Sequence, residues 1–251
     1  MSVRTTPKNQ PADLSEAEAL DILGNGDVAR LQRVPWSSNG TFLAHLDAGN
    51  DRYICGIYKP GEGERPLNDF PPGTLYKREY AAYLLSRDLG WPSVPTTVVR
   101  SGPYGVGSMQ RYIESDPNVT YFDVVEGCRD EMLLFATFDL LINNADRKGG
   151  HCILGSDGIV WSIDHGLTFH HEFKLRTVML EFWGSPIPRS LVYDLTVLRS
   201  HLDSSGELTG SLQELLVDRE FYALVERLDS ILESPEIPEL HVGTNVPWPL
   251  V

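Results

Sequence analysis

The sequence predicts an α+β chain of two lobes, a β-rich N-lobe followed by a helical C-lobe. Three observations carry this expectation. Strand-like runs crowd the first half, at residues 40–46, 53–59 and 94–113, with one long helical pattern among them, Leu75–Leu89. After residue 132 the apolar spacing is mainly helical, interrupted by one short hairpin. The 251 residues, 41% of them hydrophobic, suffice for one two-lobed domain or two small ones. Strands first and helices later, with a cleft between the two lobes, is the arrangement such an order suggests.

The elements follow in turn. Residues 1–13 read as a flexible tail. Ser15-Glu16-Ala17-Glu18 is a capping-box pattern, opening a short helix that should stop at Gly24-Asn25-Gly26. The runs 40–46 and 53–59 flank Asp47-Ala48-Gly49-Asn50-Asp51, a hairpin signal. Residues 61–72, rich in Gly, Pro and charge, form a loop. Leu75–Leu89 carries helical spacing and ends at Gly90, before Pro92. The strongly apolar helix 132–142 runs directly into a polar turn, 143–150. Two short strands, Cys152–Leu154 and 159–163, enclose the Gly155-Ser156-Asp157-Gly158 turn. Helical stripes follow at 191–201 and 212–232, the second read as core packing with a solvated charged face. Residues 237–251 are proline-rich and extended.

Composition narrows the partners. The formal net charge is −14 and the sequence pI about 4.8. A field of that sign opposes non-specific binding to nucleic acid and stable association with an anionic membrane. It leaves room for a nucleotide such as ATP in a locally positive pocket. No apolar run reaches the ~20 residues that span a bilayer. The polar N-terminus does not read as a signal peptide. Cys55, Cys128 and Cys152 are an odd number without CxxC spacing, which suits a reduced, cytoplasmic setting.

The segment richest in chemistry is Asn143-Asn144-Ala145-Asp146-Arg147-Lys148-Gly149-Gly150-His151, followed by Ile163-Asp164-His165-Gly166. Phosphoryl transfer from ATP needs one carboxylate to accept or orient the acceptor hydroxyl and another to hold the metal that bridges the phosphates. A carboxylate after a helix, then a hairpin, then a carboxylate before a glycine has that layout. Arg147 or Lys148 beside Asp146 would stabilise charge on the transferred group. The bland alternatives are that Asp164 caps a turn and that Arg147 and Lys148 complement a helix dipole.

These residues resemble the catalytic loop (Asp146-Arg147) and the metal-binding motif (Ile163-Asp164-His165-Gly166-Leu167) of the phosphatidylinositol 3-/4-kinase-like family. The likeness is to the type II 4-kinase branch and its small bacterial relatives, and it extends over roughly residues 31–198. It implies a two-lobed protein-kinase-like fold, with an N-lobe at 14–108, a hinge at 109–114 and a C-lobe at 115–251, making one catalytic unit. It also implies ATP with Mg²⁺ or Mn²⁺. Lys59, in Gly56-Ile57-Tyr58-Lys59-Pro60, resembles the lysine that pairs with the phosphates, and Ile57, two residues earlier on the same face, would cover adenine. Glu79 resembles the glutamate that orients that lysine. Ser37-Ser38-Asn39-Gly40-Thr41 lacks GxGxxG, but Ser38, Asn39 and Gly40 could offer backbone N–H groups to phosphate. Residues 109–113, with Gln110, Tyr112 and Ile113, resemble the adenine-binding hinge. Phe182-Trp183-Gly184-Ser185-Pro186 falls where an activation or substrate segment is expected.

One position departs from the pattern. Kinases place Asn five residues after the catalytic Asp as a second metal ligand. Here His151 stands at that offset, as a metal ligand that favours transition metals over Mg²⁺. His151, His165, His170, His171 and Cys152 do not form a closed zinc set by their spacing. The acceptor is a hydroxyl of a small molecule, an inositol-type headgroup or a protein side chain. Charge disfavours a lipid, since the basic cluster is only Lys174 and Arg176. The alternatives are an ATP-binding scaffold with little transfer, and a protein nucleotidyl transferase.

Overall fold

The computed structural model describes residues 10–11, 14–35, 37, 39–50 and 52–251. The expected tail falls largely outside the described residues, as does Ser38. Contacts divide the chain into two units, Met1–Tyr76 with Pro95–Tyr112, and Lys77–Val94 with Ile113–Val251. The first is β-rich and the second mostly helical, an α+β fold as the order of patterns predicts.

The first unit is a sheet with one helix on it. Strands β1 (Gln10–Pro11), β2 (Val28–Arg33), β3 (Phe42–Asp47), β4 (Arg52–Pro60), β5 (Thr97–Gly102) and β6 (Gly105–Arg111) form it in the order β2-β3-β4-β6-β5, antiparallel throughout, and β1 pairs in parallel with β4. Helix α1 (Glu16–Asn25) opens on the reciprocal cap predicted from sequence. Glu18 N–H donates to the Ser15 hydroxyl, and Ser15 N–H donates to the Glu18 carboxylate. At its other end the Arg100 guanidinium donates to the Leu23 and Gly26 carbonyls, satisfying acceptors the helix leaves open. Ala19 and Leu23 pack on Ala44, Leu46, Ile54, Tyr58 and Met109. Each of the larger aliphatic side chains here, Leu23, Leu46, Ile54 and Met109, contributes roughly 1.5–3 kcal/mol when fully buried.

Strand β4 alternates cleanly. Ile54, Gly56 and Tyr58 face this core, while Cys55, Ile57 and Lys59 point to the other face. A Cβ at position 56 would lie 2.7 Å from the Met109 sulfur, so the core approaches the backbone closely there. Strand β2 is absent from the sequence-based expectations. It is an edge strand with exposed Ala29, Arg30, Gln32 and Arg33, so no period-two alternation marks it.

The second unit is built around helix α4 (Arg129–Ile142), buried from Phe135 through Ile142 on every side. Helix α2 (Leu75–Leu89) has the predicted bounds and groups with this unit from Lys77 onward. A one-turn helix, α3 (Tyr121–Val124), precedes α4, and the hairpin β7 (Cys152–Leu154) and β8 (Val160–Ser162) follows it. Helix α5 (Arg189–Asp203) buries Leu191, Leu195, Leu198 and Leu202 on one stripe. The single helix expected at 212–232 is two, α6 (Glu207–Leu215) and α7 (Asp218–Glu233). Val217 is extended between them, and its N–H is taken by the Glu220 carboxylate, which starts a new helix. The tail expected to be extended contains one further turn, α8 (Val242–Asn245), in which Gly243 N–H donates to the His241 ring. Among the described residues, no helix is long and apolar enough to cross a membrane.

Candidate active site

The site is laid down by the end of α4. Asn143 leaves the helix in the left-handed region, at φ 54°. Its buried side chain donates to the His170 and Glu172 carbonyls and accepts from Lys174 N–H, fixing the 170–174 segment against the helix end. Asn144 donates from its side chain to Asp139 and accepts Asp146 N–H at 3.1 Å. Asp146 is thereby oriented from below by a residue whose own partner is inside α4.

Arg147 is fully buried, and every one of its nitrogens is occupied. Its Nε and Nη2 bind the two oxygens of Asp139 at 2.7 and 2.9 Å. Nη1 donates to the His151 and Ile163 carbonyls, and Nη2 also reaches the Ser162 hydroxyl and His165 Nε2. Burial pulls the guanidinium pKa down, but the Asp139 carboxylate overrides that and holds it above its usual value. The expectation that Arg147 meets the transferred group is corrected here. Its fork ties the 146–151 loop to β8 and to the Asp164 turn, and no donor is left for a ligand.

On this base the predicted residues come together. Lys148 Nζ lies 3.2 Å from the Asp146 carboxylate, both partly exposed. Burial raises the pKa of Asp146, Lys148 opposes the rise, and the negative charge of Asp164 adds to it. The two carboxylates of the sequence motif are therefore in electrostatic reach of each other. Asp164 sits in the left-handed region at φ 61°, a conformation rare outside glycine and held here by its neighbours. The residue after it is anchored on two sides, His165 N–H donating to the Glu79 carboxylate at 3.0 Å and its ring meeting Ser162 and Arg147. Glu79, buried in α2, thus holds the Asp164 turn. The Asp164 carboxylate itself stays half-exposed.

His151 Nε2 lies 3.3 Å from the Asp164 carboxylate, and its Nδ1 takes Lys148 N–H at 3.3 Å. An Nδ1 that accepts leaves the proton on Nε2, pointed at Asp164. In this arrangement His151 donates to Asp164, and the lone pair a metal would use is not presented. Among the described residues, no group of three or more His, Cys, Asp or Glu side chains is placed to hold a metal ion by itself.

The loop is closed from outside by two strands of chain. Arg147 N–H donates to Arg176 O, and Val178 N–H to Arg147 O. Gly149 N–H donates to Leu250 O at 2.7 Å, and a Cβ at position 149 would lie 2.8 Å from the Phe122 ring. The segment expected to act on substrate, 182–186, begins in a short turn (Leu180–Phe182) and is held by Gly184 N–H on Ile237 O.

In the first unit the predicted residues are placed differently. Ile57 and Lys59 share a face of β4, with Ile57 opposite Gln110 and Lys59 opposite Ser108 on β6. Gln110 is buried, its amide donating to Thr97. Tyr112 N–H donates to Cys55 O, so this hinge donor is used within the sheet. Ile113 is buried and begins the second unit. Gly40 N–H donates to Gly63 O at 2.8 Å, and the Asn39 side chain accepts Arg65 N–H. The expectation that Gly40 presents its N–H to phosphate is corrected in this conformation.

Asp139 and Ser162 complete the site and are not singled out in the sequence; Asn144 and His165 lie in its motifs without the supporting role they have here. Asp139 had a signal: a carboxylate inside an apolar helical run has to be paired. No family model matches the chain. Protein Rv2133c of Mycobacterium tuberculosis is 36% identical over 263 residues, covering 91% of this chain and 94% of that protein. The chain belongs to the Rv2133c family. Among solved structures, the Golgi casein kinase aligns with a TM-score of 0.57 at 15% identity, over 89% of this chain and 75% of that one. The same kinase with Mn/ADP bound gives a TM-score of 0.56 at 15% identity, over 94% and 80%. Hydra Fam20, solved with sugar, gives 0.53 at 15% identity over 91% of both chains. The Helicobacter pylori proinflammatory kinase CtkA gives 0.50 at 11% identity, over 86% and 94%. At such identities the likeness speaks for the fold: this member of the Rv2133c family has an atypical kinase-like fold.

Proposed function

We propose that the chain is an ATP-dependent phosphotransferase in which Asp146 orients the acceptor hydroxyl and Asp164 binds the divalent metal of the nucleotide. The observation that carries this is the pair of carboxylates, from separate turns, held in mutual reach above a buried hydrogen-bonded network centred on Arg147. A carboxylate with a raised pKa is a better base for a hydroxyl proton. Asp146 has that property, and Lys148 beside it holds its charge in place. Kinase metals take one or two protein carboxylates and complete their shell with phosphates and water. The exposed Asp164 carboxylate fits that demand, and the His151 proton orients it. When bound, the metal nucleotide supplies the phosphoryl group and neutralises its charge. The resemblance assigns Lys59, Ile57, Gln110, Tyr112 and Ile113 to the nucleotide. Placement with the phosphatidylinositol 3-/4-kinase-like enzymes rests on motif order alone. The acceptor is a hydroxyl on a small molecule or protein.

The test uses purified protein with ATP labelled at either the α or the γ position, with Mg²⁺ and with Mn²⁺. Release of ADP, or γ-label on the protein or an added acceptor, is expected, with Asp164→Ala lowering it by about 10³-fold. Full activity in that variant would remove Asp164 from the metal. Transfer of the α-label would instead identify nucleotidyl transfer. One observation favours a second reading, a nucleotide-binding scaffold: Gly40 N–H is already spent on Gly63 O. ATP-induced thermal stabilisation without turnover in either metal would select it.

A further inference from the structure

A cleft of ≈ 200 Å³ opens between α7 and the 170–174 segment, lined by His171, Phe173, Ala223, Glu226, Arg227 and Ser230. Arg227 reaches inward from α7. Its Nε donates to Leu141 O at 3.0 Å, closing the end of α4, and its Nη1 donates to His170 O at 3.2 Å. Nη2 is buried and has no hydrogen-bond partner, and the same is true of His171 Nδ1. Two residues of one cleft therefore each carry an unused buried nitrogen.

Buried guanidinium groups ordinarily meet a carboxylate, because an uncompensated internal charge is costly. Arg227 has only carbonyl partners. Glu220, on its own helix, is spent on Arg78 at 2.6 Å, and Glu226 lies exposed at the mouth without an ion pair to Arg227. Burial draws the guanidinium pKa down to about 10, with Glu220 and Glu226 opposing from a distance. The missing partner is an acceptor with negative charge.

We propose that this cleft binds a small oxyanion-bearing ligand, a carboxylate or a phosphoryl group, through Arg227 and His171. Phe173 and Ala223 cover the apolar part of the ligand. The volume, several water molecules' worth at ~30 Å³ each, suits a small molecule or one side chain. Glu226 at the mouth selects against polyphosphates. The His170 carbonyl held by Arg227 is also held by Asn143 at the end of α4, so an occupied cleft would stiffen the segment that follows the Asp164 turn.

Isothermal titration with inorganic phosphate and, separately, with acetate tests this on the full chain, in EDTA and without nucleotide. Saturable binding of at least one anion is expected, and the two arms tell phosphoryl from carboxylate preference. Arg227→Met should weaken it roughly tenfold or more, the loss of one charge-assisted pair. Because that variant also strips donors from two carbonyls and can fail to fold, Ser230→Glu provides the second arm. It sets a carboxylate on the exposed rim, and the same loss is expected. Asp164→Asn should bind as the parent does, which separates this cleft from the proposed catalytic site. Absence of saturable binding for both anions, unchanged affinity in Ser230→Glu, or loss confined to Asp164→Asn would each overturn the proposal.

Discussion

The loop around Asp146 and the turn around Gly40 are both expected from sequence to meet the phosphates of a nucleotide, yet they are built in opposite ways. In the first, buried side chains (Asp139, Asn144, Arg147, Ser162) take up the internal bonds, so Asp146, Lys148 and Asp164 are left at the accessible side. In the second, the turn is bonded to the 63–65 segment, Gly40 N–H donating to Gly63 O and Arg65 N–H to the Asn39 side chain, so the Gly40 donor is spent. A polar group outside can act on a ligand only when the bonds inside are carried by something else.

The strongest way to break this contrast is to remove the hidden support. Arg147→Met leaves the buried Asp139 carboxylate without its cationic partner, held only by the Asn144 amide, and should cost roughly 3–5 kcal/mol in a denaturant titration. An unchanged midpoint would mean that the network does not carry the loop. Asp146→Asn should act on chemistry, lowering transfer on the order of 10²-fold. Its effect on stability has the opposite sign. The folded-state pKa of Asp146 is raised, chiefly by burial, so the stability it contributes is present below the ordinary carboxylate range and is lost as pH rises through the raised value. At neutral pH the amide should therefore melt higher than the parent, and the gain should vanish in acid; calorimetry across pH checks both.

A smaller effect is expected at His151, which acts on Asp164 as a hydrogen-bond donor. His151→Gln keeps a donor and should lower metal affinity or transfer only about tenfold, in the range of supporting residues around metals. Inactivity on the scale of Asp164→Ala would make His151 a direct ligand. The smallest effect belongs to the other region. A Cβ at Gly40 would meet Gly63 Cα at 3.1 Å, so Gly40→Ala asks for a shift of a few tenths of an ångström. It should change stability by about 1 kcal/mol or less and leave transfer within severalfold. A large loss of transfer there would show that the turn rearranges to bind phosphate.

The same contrast explains what the sequence made legible. Elements with a sharp stop were readable to the residue: α2 ends at Leu89 before Gly90, and β7 spans Cys152–Leu154 as expected. The α6–α7 break was not readable, because Leu216-Val217 continues the apolar stripe and Val217 has no side-chain oxygen to mark it as a cap; the new start shows only in the bond from Val217 N–H to the Glu220 carboxylate. Asp146, Asp164 and Glu79 stand out in the sequence because their order resembles a known motif order, and the roles that order implies belong to the proposal. Arg147 was misassigned because a basic residue beside a carboxylate reads as a charge for substrate. Its partner Asp139 lies eight residues back in α4, and only the folded turn brings the two together.

The hydrogen bond from Gly149 to the carbonyl of Leu250 has a consequence in time. A growing chain emerges amino end first. The loop that bears Asp146 and Lys148 leaves the ribosome a hundred residues before the acceptor of its Gly149 N–H. Until position 250 has been made, that donor lacks its native acceptor.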